Sequence, residues 1–464
     1  MKDSNPGLNK HVLLAVTMAS NFLNPLMGTA VNVALPKIGE EFSMSAVGLS
    51  WVSMSYLLAS AIFLVPFGKI SDGWGRRKMF LYSNIGFAIS SLFCALSVSS
   101  EMLIIGRFLQ GIAAAGIFAT SMAIVISAFE PHERGKLIGL NVMAVYVGLS
   151  IAPVLGGVLT SLWGWRSLFF INTVAVILII FAIITKIKAE WAVPNKAKFD
   201  IIGTLIYMVS ISGLMYGFSH LPKNEAIIFT ILSIVGVIIF VNYELKQSNP
   251  VLEMQLFFKN KLFAFSNLSA FINYAATFAI TFVFSLYLQY VKGLSPRDAG
   301  LILIAQPVVM AFVASFSGKL SDTKDARILA SIGMGVSTAG LLMLAFISKE
   351  TPYSYIIVAF LILGFGFGMF SSPNTNSVMS SVENRFLGIA SATVSTMRTT
   401  GMMFSMAIAA LSIHLFLGDA KINSDNLDSF ILSVKAVIIT FVLLCIIGIF
   451  TSLVGSRKEK NITY

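Results

Sequence analysis

The sequence predicts an all-α, polytopic membrane protein: fourteen transmembrane helices as two six-helix bundles with a two-helix insertion between them, both termini cytoplasmic. Three observations predict it. Of 464 residues, 56% are apolar and only 11% are charged, against about 25% charged in an ordinary soluble domain. Apolar runs of membrane-crossing length, roughly 20 residues, recur at a steady pace along the chain. A loop string, G-K-[IL]-S-D, occurs at 68–72 and again at 318–322, each time after the second run of a six-run unit. One or two aqueous domains could not hide this much apolar surface, so soluble, disordered and disulfide-scaffold classes are excluded.

The runs fall near 12–35, 50–68, 79–98, 102–127, 137–160 and 167–185 in the first half. A polar stretch from Lys186 to Asp200 follows, then runs near 201–220 and 226–243, then an amphipathic stretch from Glu244 to Lys261. The last six lie near 263–290, 298–317, 328–348, 355–378, 388–415 and 430–454. The expected units are therefore 1–186, 187–262 and 263–464. The first run is too long for a signal-peptide core and lacks a cleavage site, so it reads as an uncleaved span.

Charge then orients the chain. One set of loops holds Lys69, Arg76, Arg77, Lys78, Arg134, Lys136, Lys186, Lys188, Lys319, Arg327 and Arg385 among many other bases. The alternate loops hold few bases and carry Glu40, Glu41, Glu101, Glu225, Asp298 and Asp419. By the positive-inside rule the basic side is cytoplasmic. This asymmetry also accounts for the net charge of +11 without a nucleic-acid partner, and it places the chain in the cell membrane as a multi-pass protein.

Chemistry-bearing motifs are sparse. Cys94 and Cys445 are isolated inside apolar runs, so neither a disulfide framework nor a metal site is expected. The four histidines form no H-E-x-x-H, and there is no G-x-S-x-G at a cavity and no Walker A string. The chain does not read as an enzyme or an ATP-driven machine, and no cofactor is expected. Asp72 follows the second run and precedes the cluster Arg76–Lys78, with Gly68 and Gly75 punctuating the turn. A carboxylate there can pair with those bases and with a helix N-terminus, forming a conformational latch. Gly318 and Asp322 form its second copy.

Charges inside apolar runs are costly and mark functional candidates. Arg107 lies about five residues into the fourth run, with Gln110 facing the same way, as in a polar cavity wall. Arg398 lies deeper, about ten residues into the thirteenth. Gly148, Ala152 and Gly156 form a small-residue stripe for close helix approach, with Pro153 loosening the backbone. Asn24, Met27, Asn32, Tyr56, Tyr146, Asn273, Gln306 and Asn374 are the expected lining of a central cavity, together with Tyr274.

Taken together, these motifs resemble the major facilitator superfamily. Gly68–Lys78 is similar to its signature loop, Arg107-Phe-Leu-Gln110-Gly111 to R-x-x-Q-G, and Ala152-Pro153-Val-Leu-Gly156-Gly157 to the G-P-x-x-G-G antiporter motif. Thr29-Ala-Val-Asn32-Val-Ala-Leu-Pro36, Phe199-Asp200-Ile-Ile-Gly203 and Leu288-Gln289 resemble the fourteen-span drug:proton antiporter branch (EmrB/QacA-like). The resemblance implies an exporter of amphipathic small molecules working by alternating access and proton antiport. In that reading Asp72 and Arg76 belong to the conformational switch, and Arg107 takes part in proton transfer. It also implies a chain acting as a monomer in a lipid bilayer.

One departure stands out. The branch usually carries an aspartate five residues before Asn32, where this chain has Met27, and none of its 21 acids lies in the middle of a run. The embedded charges are instead Arg107 and Arg398. Neutral, zwitterionic or anionic amphiphiles therefore suit the sequence better than lipophilic cations. Asp72 and Asp322 at the cytoplasmic rim, then His132 and Glu133, are the proton-carrier candidates. The alternative is a lipid or amphipathic-metabolite translocator without proton coupling; a membrane enzyme is a remote third.

Overall fold

The computed structural model describes residues 10–129, 131–192, 200–383 and 386–454. The described residues are helical and run in alternating directions. In the first part α1 spans Lys10–Phe42, α2 Ala46–Trp74, α3 Arg76–Ala95, α4 Ser100–Ala128, α5 Pro131–Trp163 and α6 Arg166–Lys186. The pair α7 (Ile201–His220) and α8 (Asn224–Glu244) follows, then the short α9 (Met254–Lys259). The remainder comprises α10 (Lys261–Thr277), α11 (Ile280–Leu286), α12 (Pro296–Leu303), α13 (Ala305–Thr323), α14 (Ala326–Ala345), α15 (Tyr353–Ser380), α16 (Leu387–Leu417) and α17 (Leu427–Leu453).

Helix starts are written locally. Ser45, Ser99, Asp200, Asn260 and Ser295 each accept a backbone N–H of the first turn at 2.9–3.2 Å, meeting donors that the helix itself leaves unpaired. Thirteen helical stretches among the described residues are long and apolar enough to cross a membrane. The third expected run is helix α3, which is not one of them. Its 20 residues open on Arg76-Arg77-Lys78 and include Ser83, Asn84, Ser90 and Ser91, so its polar content is high. It nevertheless packs along α4 and α6.

Three boundaries differ from the sequence expectation. The first helix does not stop at Leu35 but runs through Pro36 to Phe42. A proline removes the hydrogen bond to the carbonyl four residues earlier. Here that carbonyl, on Asn32, accepts the Ser285 hydroxyl at 2.8 Å, so the helix continues without an orphaned acceptor. The ninth run is one span in three pieces: α10, α11 and a π-turn at Tyr287–Val291. At its first break the Ala279 N–H is met by the Ser405 hydroxyl at 2.9 Å. The tenth run is divided at Ile304 into α12 and α13.

The pattern of neighbours repeats along the chain. Helix α1 lies along α5 as α10 lies along α16; α4 is gripped by α2 and α3 as α15 is gripped by α13 and α14; α6 covers α3 as α17 covers α14. The two sets meet where α2 packs on α16 and where α5 packs on α12 and α13, while α7 bridges α2 and α16. One face of the molecule carries the turn at Gly75 with its three basic residues, and we refer to it as the basic face. The opposite face carries the connections at 43–45, 164–165, 292–295 and 418–426.

Lipid tails are as apolar as leucine, so helix association rests on close packing and hydrogen bonds rather than on burial from water. Small residues supply the closeness. A Cβ on Gly148 would stand 2.4 Å from the Phe22 carbonyl oxygen, and one on Gly156 2.5 Å from that of Ala30. The same holds between the two sets: a Cβ on Gly157 would stand 2.3 Å from the Pro296 oxygen, and one on Gly300 2.3 Å from the Pro153 oxygen. Gly156→Ala should therefore lower thermal stability in detergent by an amount equivalent to about 1–3 kcal/mol. Gly68→Ala, which meets nothing within 4 Å, should leave it unchanged or slightly higher. Size-exclusion melting curves of both variants check the contrast.

Candidate functional site

Between the two sets of helices lies a cavity lined by Thr29 and Asn32 of α1, Leu149 and Pro153 of α5, Tyr274, Thr277, Phe278 and Thr281 of α10 and α11, Gln306, Pro307 and Met310 of α13, Phe367 of α15 and Met402 of α16. Its empty space is about 570 Å³, counting the open side. The lining contains no carboxylate and no ammonium or guanidinium group. Thr29 Oγ1 and Asn32 Nδ2 are buried without a hydrogen-bond partner among the described residues. Buried polar atoms are normally paired, so these two mark polar points in the cavity wall. The aromatic wall is edge-on: Tyr274 and Phe367 stand 5.2 Å apart at 88°.

Hydrogen bonds joining the two sets run from mid-depth to the opposite face. Tyr146 and Ser371 bond hydroxyl to hydroxyl, and Ser150 donates to the Pro307 carbonyl at 2.9 Å. Farther out, Gln289 donates to the Val33 carbonyl at 2.9 Å, the Arg297 N–H to the Ser161 hydroxyl at 3.2 Å, and the Ala46 N–H to the Ala420 carbonyl at 3.1 Å. With the glycine contacts of α5 and α12, they close the opposite face.

Of the residues expected in the cavity, Asn32, Tyr274 and Gln306 line it. Asn24, Met27 and Tyr56 do not; they are buried within the first set of helices. The Tyr56 hydroxyl donates to Asn24, whose amide in turn donates to the Ala114 carbonyl at 3.2 Å. These bonds fix α1 and α2 on α4. Tyr146, Asn273 and Asn374 are buried beside the cavity rather than along the lining given above. Tyr274, Thr277 and Thr281, by contrast, share one helical face of the ninth run, and their polar spacing of three to four residues is the signal that marks the wall.

Arg107 is fully buried and is not a cavity residue. Its Nε donates to the Val52 carbonyl at 3.1 Å, and its Nη1 donates to Gln110. Its guanidinium lies 4.3 Å from the centre of the Tyr56 ring. Gln110 then donates to Ser91 at 2.7 Å, and Ser91 also accepts from Asn172 at 2.8 Å. A buried cation needs its donors met; here a carbonyl, an amide and a ring face meet part of that need where no carboxylate does, and Nη2 has no hydrogen-bond partner among the described residues. The expected polar wall is thus a clasp joining α2, α3, α4 and α6.

Arg398 has a different setting. It is only half-buried, its Nη2 donates to Thr375, and its guanidinium lies 5.7 Å from the centre of the Tyr274 ring. Its Nε has no partner among the described residues.

At the basic face, Asp72 accepts from Arg76 through Nε at 3.0 Å and Nη2 at 2.7 Å, and Arg76 Nη1 reaches the Ala123 carbonyl and Ser127. Asp72 and Arg76 therefore pair as expected, and the pair ties α2 and α3 to the end of α4. A residue not foreseen completes it. Glu190 accepts the N–H groups of Arg77 at 2.8 Å and Lys78 at 3.2 Å, capping α3 with a negative charge where the helix dipole is positive. Trp191 accepts the Arg76 N–H at 2.9 Å, and Arg77 reaches back to Ile187. Gly75 is required here: its φ is +118°, and a Cβ would stand 2.7 Å from the Glu190 carboxyl carbon. No local sequence signal points to Glu190, because 113 residues separate it from Arg77.

The second copy differs. Asp322 is exposed and takes no ion pair among the described residues; Asp325 pairs with Arg327 at 2.7 Å instead. Gly318 faces Ser372 at ordinary contact distance. The side chains of His132 and Glu133 lie outside the described residues. Two outcomes are expected. Arg107→Met leaves the Val52 carbonyl and Gln110 unmet and should destabilise by about 1–3 kcal/mol, read as a lower melting temperature. Glu190→Ala should free the start of α3 and speed trypsin cleavage at Arg76–Lys78 in the otherwise folded protein.

The fold and these sites can be set beside known proteins. The family model of the Major Facilitator Superfamily matches residues 17–406. The riboflavin transporter RibZ of Clostridioides difficile (strain 630) is 28% identical over 87% of this chain and 88% of its own length. Multidrug resistance protein 3 of Bacillus subtilis (strain 168) is 31% identical over 86% of this chain and 77% of its own. Among solved structures, a bacterial homolog of the human lysosomal transporter Spinster, inward-facing and unoccupied, superposes with a TM-score of 0.68 at 15% identity, covering 97% of each chain. The human organic anion transporter MFSD10 does so at 0.66 and 14% identity, over 96% of this chain and 99% of that one; at such identities the likeness is one of fold. The chain is a multi-span membrane transporter, not an enzyme, and it belongs to the Major Facilitator Superfamily.

Proposed function

We propose that this transporter exports amphipathic small molecules from the cell by alternating access, coupled to proton entry, as a member of the fourteen-span drug:proton antiporter branch. The observation that carries the reading is the central cavity, walled by both sets of helices and closed on the face opposite the basic turn. Such a cavity between two repeated helix sets is what a rocking transporter needs. In this reading the basic face is cytoplasmic, α3 is the third span, residues 1–186 and 263–464 are the moving bundles, and 187–262 is an inserted hairpin with its linkers. The unit is a monomer.

The relatives' names support the substrate class, since they include proteins of multidrug resistance and a riboflavin transporter. Proton coupling is supported by the Asp72–Arg76 pair at the basic rim. Protonating Asp72 removes its charge and frees Arg76, which biases two arrangements of the bundles differently. The lining without a carboxylate favours no lipophilic cation.

The test uses purified protein in liposomes containing a pH-sensitive dye under an imposed proton gradient. Neutral or anionic amphiphiles should dissipate the gradient in a protein-dependent way, and Asp72→Asn should slow this at least about tenfold, the loss of a charge-assisted pair. Substrate movement without any change in the dye signal would remove proton coupling and leave an uncoupled translocator of lipids or amphipathic metabolites.

A further inference from the structure

Resting on the transport reading above, the geometry points to an aromatic anion as the substrate, its negative group held by Arg398 and its ring system against Tyr274 and Phe367.

Three observations converge on it. The first is position. Met402 lines the cavity, and Arg398 is four residues earlier on the continuous helix α16, hence on the same face one turn nearer the basic face. The Tyr274 ring, itself in the cavity wall, lies 5.7 Å from the guanidinium. Arg398 therefore stands just beyond the lining residues Tyr274 and Met402, on the side away from the closed face.

The second is charge. Arg398 makes no ion pair among the described residues; its protein partner is the hydroxyl of Thr375, and its Nε is buried without one. The side chain is only half-buried, and a planar guanidinium matches a carboxylate, sulfonate or phosphate in two-point fashion. A cationic substrate in the same place would face uncompensated repulsion. Arg107 provides the contrast in exposure: the same residue type, fully buried away from the cavity among Val52, Gln110 and Tyr56.

The third is the wall above the charge. Tyr274 and Phe367 present edge and face at 5.2 Å, Met402 adds a deformable side chain, and Thr29 and Asn32 offer unpaired polar atoms farther up. A molecule with an anionic end and a flat apolar body matches this order.

The experiment compares three ligands on one skeleton, naphthoate, naphthamide and naphthylmethylammonium, by isothermal titration into the purified full-length protein. Naphthoate should bind tightest and naphthylmethylammonium weakest. Arg398→Gln should weaken naphthoate at least about tenfold, the range for a hydrogen bond to a charged group, and change naphthamide less than about twofold. Arg398→Lys should fall between, because it keeps the charge and loses the two-point geometry. Equal loss of naphthoate and naphthamide would reduce Arg398 to a packing role and overturn the inference, as would cation binding equal to that of the anion. The ranking in the unaltered protein decides the question even if a variant fails to fold. Naphthamide binding without anion preference would sink this inference alone, whereas failure of all three ligands to bind the folded protein would sink the amphiphile-transport reading with it.

Discussion

Backbone touching backbone at small residues is the constraint on which the rest of the molecule depends. In a bilayer, helices gain little by hiding apolar side chains from one another, so they cohere through contact area and through hydrogen bonds that lipid cannot supply. Helix α5 meets this need on two sides. Gly148, Ala152 and Gly156 seat it on α1, while Gly157 and Pro153 bring it against α12. One helix thereby fixes the interior of the first set and closes the seam with the second. Any side chain added along it would push both contacts apart, which is why a short glycine motif has such reach.

Polar chemistry in the interior is divided between holding and receiving. The chain of Asn172, Ser91, Gln110, Arg107, Tyr56 and Asn24 is a largely satisfied network that binds four or more helices together. Satisfied networks rigidify. At and beside the cavity, Thr29 Oγ1, Asn32 Nδ2 and Arg398 Nε have no hydrogen-bond partner among the described residues. Two arginines within apolar helices thus have different surroundings. One is fully buried in a hydrogen-bonded network within the first set of helices, and the other is half-buried beside the cavity.

The basic rim follows the same division. Asp72 and Arg76 pair across one turn of chain, but their orientation depends on Glu190 and Trp191, which strap the end of α6 over the start of α3. In the second copy the exposed Asp322 and the local Asp325–Arg327 pair form no such strap among the described residues. The duplicated string therefore supports two different arrangements at one face.

Composition, run length and loop charge were enough to place nearly every helix, since spanning a bilayer leaves a periodic imprint that needs no tertiary knowledge. The turn signals were equally local: Gly75, the capping residues Ser45, Ser99 and Asp200, and the Asp72–Arg76 spacing all act within a few residues. The small stripe on α5 was legible as a packing face, though not its partners. The continuation of α1 past Pro36 was not legible, because it depends on a hydroxyl from Ser285 about 250 residues away. Nor was the division of the polar residues into cavity and clasp: Asn24, Tyr56 and Gln110 have the same composition as a cavity wall, and only the helix they face decides their role. The sequence by itself determined an all-helical membrane protein with its embedded charges and rim motifs. The tertiary structure alone decided which charge is sealed among helices and which stands beside the cavity, because burial and hydrogen bonding between distant helices are set by packing.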